Sequence, residues 1–522
     1  MGNVRILYHL MRADFLERTR RYSFLVTLGA VIYLGFLVNN GTVGVVLGKY
    51  RGEYNTAWVG AMMSLVATFF LSWFGFYLVK NTIQRDKQTG VGEIIATTPL
   101  TGLKYVAGKA LSNFAVLAVM VAILVVGAVA LQLFSGETSG FSLWDLVSPF
   151  LLITLPALAV VAALAVLFES LPWLSGGIGN IVYFFGWMFL MMIGIENNND
   201  LWDLPAVHLI SESMKEAARR AYADYSDGFI LGISERSIAG TFHWDGIAWT
   251  RDLLLTRFGW LCVAPLVVVA ASLVFHRFDF SRKQILARVS SRKSSETDEQ
   301  PTASQPSPFA PVRLALTSLP TRFSLRQAIV AELRILLKGK HWWWFAAGLG
   351  LIVACLLAPI QEARQIALPA AWIWPLLVWS SMGNREERFR TSELVFSSPR
   401  ALSRQLPAAF CAGAVVAMVA GSGIVLRLFL VADWAGIAMW IAGALFIPAF
   451  ALALGVWSRS GKLFEVVYLC LWYVGPVSRT PPLDFIGEAG VATIPSLPLA
   501  YVAATGALLL AAFLGRRRQM RR

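Results

Sequence analysis

The chain has 522 residues, 57% of them apolar and only 15% charged, with a formal net charge of +14. A soluble protein of this length needs far more charged surface, so the apolar excess has to face lipid. The positive charge is distributed in the way membrane orientation requires and does not form a nucleic-acid-binding patch.

Apolar residues come in separate runs of about 17–25, the length at which a helix crosses a bilayer. They lack the alternation of barrel strands, and backbone groups in lipid must be satisfied within their own segment. The expected fold is therefore all-α and polytopic, with about twelve transmembrane helices in two parallel six-helix repeats. The predicted spans are 23–39, 57–79, 110–133, 146–168, 175–195, 253–275, 342–358, 367–383, 406–430, 435–456, 463–477 and 497–515. Ahead of the first span lie Arg5, Arg12, Arg18, Arg20 and Arg21. No small-residue cleavage site follows that span, so it is expected to stay in the membrane.

Loop charge orients the spans. Segment 276–326 carries nine basic residues against four acids, and the carboxyl end reads GRRRQMRR. With the basic amino end, these belong in the cytoplasm of a cell (plasma or inner) membrane, both termini inside. Segment 196–252 has ten acids against five bases and is expected outside as a small helical cap, with a surface helix at 214–225. Residues 290–311 are rich in Ser, Pro, Thr and charge and read as a flexible linker. The expected domains are a first half at 1–275, a cytoplasmic linker at 276–325 and a second half at 326–522.

Cys262, Cys355, Cys411 and Cys470 all fall in apolar runs with no CxxC pair, and the five histidines are scattered. They read as core or isolated residues, with no metal site and no cofactor.

The halves repeat one another. Glu93 precedes Pro99 in GEIIATTPLT, and Glu393 precedes Pro399 in SELVFSSPRA, at a common offset of 300 residues. Eight positions before each Glu starts a charged cluster, Arg85-Asp86-Lys87 and Arg385-Glu386-Glu387. ALAVLFES (163–170) matches ALALGVWS (451–458), GGIGNIVYFFGW (176–187) matches GKLFEVVYLCLW (461–472), and ADFLERTRR (13–21) matches AELRILLKG (331–339). Self-similar apolar sequence explains span matches, but not a charged cluster plus Glu-x5-Pro recurring in the same loop. Thr98-Pro99 and Ser398-Pro399 read as helix starts, the hydroxyl capping and Pro entering the first turn. A short helix should precede each break.

Segment 79–111, VKNTIQRDKQTGVGEIIATTPLTGLKYVAGKAL, resembles the cytoplasmic loop of type-2 ATP-binding-cassette (ABC) exporter permeases. The shared features are a charged stretch, a Gly-Glu pair, an A-T-x-P step and a Gly-Lys before the third span. The second copy lacks the Gly-Lys and has Ala408-Ala409 instead. The resemblance implies that each loop is a coupling helix seated in a groove of a separate ATPase subunit, so two such subunits are the expected partners. It assigns that role to Arg85, Asp86, Glu93 and Pro99, and to Arg385, Glu386, Glu393 and Pro399. It also implies an amphipathic helix on the inner membrane surface before each half. Leu7, Met11 and Phe15 recur at four-residue spacing, as do Ile329, Leu333 and Leu337, with Arg5, His9, Arg12 and Arg334 off the stripe.

No Walker A motif is present. Gly102-LKYVA-Gly108-Lys109-Ala110 has one residue too many between its glycines and Ala where Ser or Thr should bind magnesium. The chain is therefore expected not to be an enzyme, with ATP hydrolysis in a partner. Asp145, Glu169, Glu196 and Glu465 fall at span ends, where snorkelling or capping accounts for them. Arg427 lies near the outer end of its span. The leading expectation is an ABC-exporter permease moving an unidentified substrate by alternating access. The alternatives are a twelve-span secondary carrier, which would place a carboxylate near the bilayer midplane, and a membrane scaffold or sensor built around 196–252.

Overall fold

The computed structural model describes residues 2–19, 22–39, 41, 43–137, 140–196, 203–225, 228–233, 238–275, 323–389, 391–398, 400–487 and 494–521. Pro399 and the predicted linker 290–311 lie outside them. The chain divides into two compact units, Met1–Ala303 and Ser304–Arg522.

The protein is a helical, multi-pass membrane protein. Seven helices among the described residues are long and apolar enough to cross a bilayer, and an eighth candidate combines Leu325–Leu337 and Trp342–Leu357, bent by 107°. Helix is present in all twelve predicted stretches, but several are shorter or broken.

In the first unit the helices Gly2–Thr19 and Tyr22–Asn39 come first, followed by Thr56–Val79. Asn55 caps the last of these, its side chain accepting from the Trp58 N–H at 2.7 Å. Gly102–Ser135 runs for 34 residues, starting eight residues before the predicted third span. Leu143–Pro149, a π-helical turn at Phe150–Thr154 and Leu155–Ser170 form the next passage. The wider turn falls between Pro149 and Pro156, neither of which can donate to a regular helix ladder. Gly177–Glu196 and Arg251–Val274 complete the set.

The predicted helical cap is a mixed cluster. Helix Val207–Ala221 lies several residues earlier than the predicted 214–225. Strand Val43–Val46 pairs antiparallel with Ile230–Ile233, and Tyr50–Gly52 pairs parallel with Gly240–Phe242. Half of each pair comes from the loop after the first apolar helix. Asp203 accepts from the Val207 and Leu209 N–H groups, and buried Arg257 donates to the Asp203 and Leu204 carbonyls, tying the cluster to the last helix of the unit.

In the second unit the predicted span 367–383 is not one helix. It contains the end of a π turn at Ala363–Ala367, helices Leu368–Ile373 and Leu376–Trp379, and further turns ending at Gly383, whose φ is +78°. Pro375 interrupts the ladder because it has no N–H. The predicted span 406–430 divides at Gly421 into Ala401–Ala420 and Ser422–Leu430. Trp440 donates its indole N–H to the Gly421 carbonyl and Trp372 to that of Ala417, both at 3.0 Å, so the carbonyls at the break keep partners away from water. Trp434–Ser458, Gly461–Trp472 with a π turn at Tyr473–Val477, and Leu497–Met520 follow.

Each unit fastens its second apolar segment to a later helix by a buried tyrosine. Tyr183 donates to the Ser72 carbonyl at 2.7 Å, and Tyr468 donates to the Trp372 carbonyl at 2.9 Å.

Gly60 sits where the second and fourth predicted spans meet. A Cβ there would lie 2.6 Å from the Leu146 carbonyl oxygen and 2.7 Å from its Cα. Gly60→Ala is expected to cost about 1–3 kcal/mol by overpacking. Gly186→Ala, with open space around its Cβ, is the control. Thermal unfolding in detergent should separate them; equal melting temperatures would contradict this packing.

Candidate functional site

The two repeated loops are each built from a pair of short helices that precede a long one. In the first unit these are Thr82–Gln88 and Val91–Ala96, separated by Gly90 at φ +75°. In the second they are Arg385–Arg388 and Ser392–Phe396.

The start of Thr82–Gln88 is capped from another helix. The buried Glu169 carboxylate accepts from the backbone N–H of Asn81, of Thr82 at 3.0 Å, of Ile83 at 2.6 Å and of Gln84 at 3.3 Å. Four free N–H groups at a helix start are thereby satisfied by one carboxylate. Of the readings given for Glu169, capping is the one observed.

Beneath the loop, Asp86 is buried and faces inward. Tyr105 donates its hydroxyl to Asp86 Oδ2 at 2.6 Å, and the Lys109 ammonium lies 2.7 Å from the same oxygen. Lys109 also pairs with Asp14 of the helix Gly2–Thr19 at 2.8 Å, and only 2% of the lysine is exposed. Arg85 forms an ion pair with Glu17 of that same helix. Gly108 allows the close approach, since a Cβ there would stand 2.3 Å from Leu10 Cδ2. The Gly-Lys step thus has two jobs: glycine admits the leading helix and lysine grips it. Ile83, Tyr105 and Val106 belong to a buried cluster with Phe275, against which Ile95 and Leu100 pack.

The second unit places equivalent residues in a similar arrangement. Arg385 pairs with Glu332 of the helix Leu325–Leu337. Glu386 is buried, accepts from Gln405, and pairs with Arg516 at 3.0 Å. Burial pushes the Glu386 carboxyl up, but the Arg516 guanidinium, a backbone N–H and Arg385 outweigh it and hold the group below the usual carboxylate range.

Of the residues singled out from sequence, Arg85, Asp86, Arg385 and Glu386 hold the loops from behind. Glu93, Pro99 and Glu393 are exposed at the tips. Beside each glutamate stands an exposed aliphatic residue, Ile94 at 68% and Leu394 at 78%. The expected helix starts at Thr98 and Ser398 are corrected. Thr98 donates to the Ile95 carbonyl and Ser398 to the Val395 carbonyl, both at 2.7 Å, so each hydroxyl closes the preceding short helix. The cap of Gly102–Ser135 is Thr101, which accepts from the Lys104 N–H, and Pro99 lies in the bend before it. Helix Ala401–Ala420 starts after Arg400, whose φ is +56°.

Asp14, Glu332 and Arg516 were not distinguished by sequence pattern. The first two occupy matched positions in 13–21 and 331–339, and that match was the available signal. Among the described residues no group of three or more His, Cys, Asp or Glu side chains is placed to hold a metal ion. No known family model, curated protein or solved structure matches this chain.

Lys109→Met should leave the buried Asp86 and the half-buried Asp14 without their cation and cost roughly 3–5 kcal/mol. Adding Asp86→Asn should recover part of the loss. Melting in detergent checks both, and a K109M protein as stable as the parent would rule out this clasp.

Proposed function

We propose that the chain is the membrane-spanning permease subunit of an ABC-type exporter, with two six-span halves fused in parallel and twelve spans in all. Its exposed loop tips dock on two separate ATPase subunits. The observation that carries this reading is the pair of tips Glu93-Ile94 and Glu393-Leu394, each an exposed carboxylate beside an exposed aliphatic side chain on a short, anchored helix. The recurrence of an exposed aliphatic side chain beside an exposed glutamate, at the same offset on two anchored short helices, supports reading the tips as a contact surface.

The internal duplication draws support from contacts between matched positions. Asp86 with Tyr105 and Glu386 with Gln405 are the same contact shifted by 300 residues. The carbonyls that Tyr183 and Tyr468 engage, Ser72 and Trp372, are also 300 residues apart. Both termini and the tips then lie in the cytoplasm of a cell membrane, as the basic segments require. ATP binding would draw the motor subunits together and move the tips. The clasps of Asp14 and Glu332 would carry that movement to the leading helices, and the long third helix would carry it into the bilayer. The substrate path lies between apolar and aromatic walls.

Glu93→Arg with Ile94→Asp, and Glu393→Arg with Leu394→Asp, change only exposed side chains, so insertion and melting temperature should stay unchanged. Like-charge juxtaposition at a protein interface can cost several kcal/mol. The combined variant is expected to lose copurification of the ATPase and transport-coupled ATP hydrolysis. Pro99→Gly should lower coupling while leaving copurification intact. Full ATPase binding and transport by the combined variant would remove the coupling assignment and favour the secondary-carrier alternative.

A further inference from the structure

The two loops share a buried carboxylate and a hydrogen-bonding partner on the following long helix, but the cation comes from different places. Lys109 lies four residues after Tyr105 on the same helix, so both reach Asp86 from one face. The equivalent of Lys109 is Ala409, which is buried and carries no charge. Glu386 is paired instead by Arg516, from the final helix of the chain, Leu497–Met520.

We propose that Arg516 is a positioning residue for the second loop, and that the final helix thereby acts as a strut that sets the orientation of the short helix Ser392–Phe396. Arg516 is buried while Arg517, Arg518 and Arg521 of the same run are exposed. Orientation by positive charge needs no particular arginine in the run, so it does not explain the burial of one. The guanidinium is held on three sides. It pairs with Glu386, donates to Gln519 Oε1 at 3.1 Å, and lies 5.0 Å from the ring centre of Phe396, the last residue of the short helix. Gln519 in turn donates to the Val456 carbonyl at 2.7 Å.

The strut is itself fixed along its length. Trp457 donates to the Ala511 carbonyl at 2.8 Å, and a Cβ at Gly515 would stand 2.8 Å from Val456 Cγ1. Close contact with Trp434–Ser458 therefore leads directly into the Arg516 contact. Ser392–Phe396 has five residues and cannot hold its orientation alone, since so short a helix is not stable in isolation. Phe396 ties it to the final helix directly, and Glu386 ties the preceding short helix Arg385–Arg388 to the same arginine. The first loop takes the same support from Lys109 within its own bundle of helices. The positioning role stands on this geometry, and only its consequence for transport rests on the docking function proposed above.

The test is hydrogen–deuterium exchange of the full chain in detergent, followed by mass spectrometry of peptides spanning 386–398. Arg516→Ala should speed exchange there about tenfold, with little change in Trp434–Ser458. Ala409→Lys in the R516A background should slow it again, because it rebuilds the Tyr105–Lys109 spacing beside Glu386. Arg516→Gln, which keeps a planar donor without charge, serves in the same way if R516A does not fold. Unchanged exchange in 386–398, or no recovery with A409K, would overturn the proposal. The readout needs no ATPase. Slow exchange in R516A sinks the strut and leaves docking standing, whereas fast exchange in R516A with full ATPase binding by the combined tip variant does the reverse.

Discussion

A buried carboxylate at the base of each loop is the constraint on which the rest of the site depends. Removing Asp86 or Glu386 from water costs several kcal/mol unless a cation and further hydrogen bonds compensate. Lys109 and Tyr105 do this for Asp86, and Arg516 and Gln405 do it for Glu386. Such contacts are poor sources of net stability but strict about geometry, because any displacement leaves a charge unpaired in a dry environment. Each loop is thus held in one place while its tip stays exposed.

The same charges join elements that would otherwise be independent. Lys109 is shared between Asp86 of the loop and Asp14 of the leading helix, and Arg85 adds a second link to Glu17. Arg385 makes the corresponding link to Glu332. A push on a tip is therefore felt by three elements at once: the short helices, the leading helix and the long helix that follows. Gly108 contributes by its size alone, since a Cβ there would displace the Leu10 side chain of the leading helix. The two units reach this common arrangement with different parts. The second loop has Ala408-Ala409 in place of Gly-Lys, and its cation, Arg516, comes from the final helix.

Much of this was legible in the sequence because membrane insertion is written in composition. Every apolar run contains helix, and the equal offset of the charged clusters picks out the loops. What failed were features set by geometry over long range. Pro375 and Gly421 broke two predicted spans, although the surrounding residues are as apolar as those of any span. The carbonyls at the Gly421 break accept from Trp372 and Trp440, partners that hydropathy cannot reveal. Thr98 and Ser398 have the composition of caps, yet their hydroxyls bond backwards, a competition open to any Ser or Thr near a helix end. The strand pairs leave no local signal in the sequence because their halves lie almost 200 residues apart. Asp86 and Glu386 were identified as part of the loop, but charge alone could not tell an inward-facing anchor from an outward-facing contact.

The central claim is that the tips at Glu93 and Glu393 face a partner while Asp86 and Glu386 do not. The direct test places a photo-crosslinking amino acid at position 93, 393 or, as a control, 144, in the full chain within its native membrane. Trp144 is exposed in Leu143–Pro149, at the start of the first unit's fourth passage and at the opposite end from Glu169, which caps the loop. The account predicts that positions 93 and 393 each capture a protein carrying a nucleotide-binding cassette, identified by mass spectrometry, and that position 144 does not. Capture of lipid or of the chain itself at both tips, with no ATPase, would contradict it.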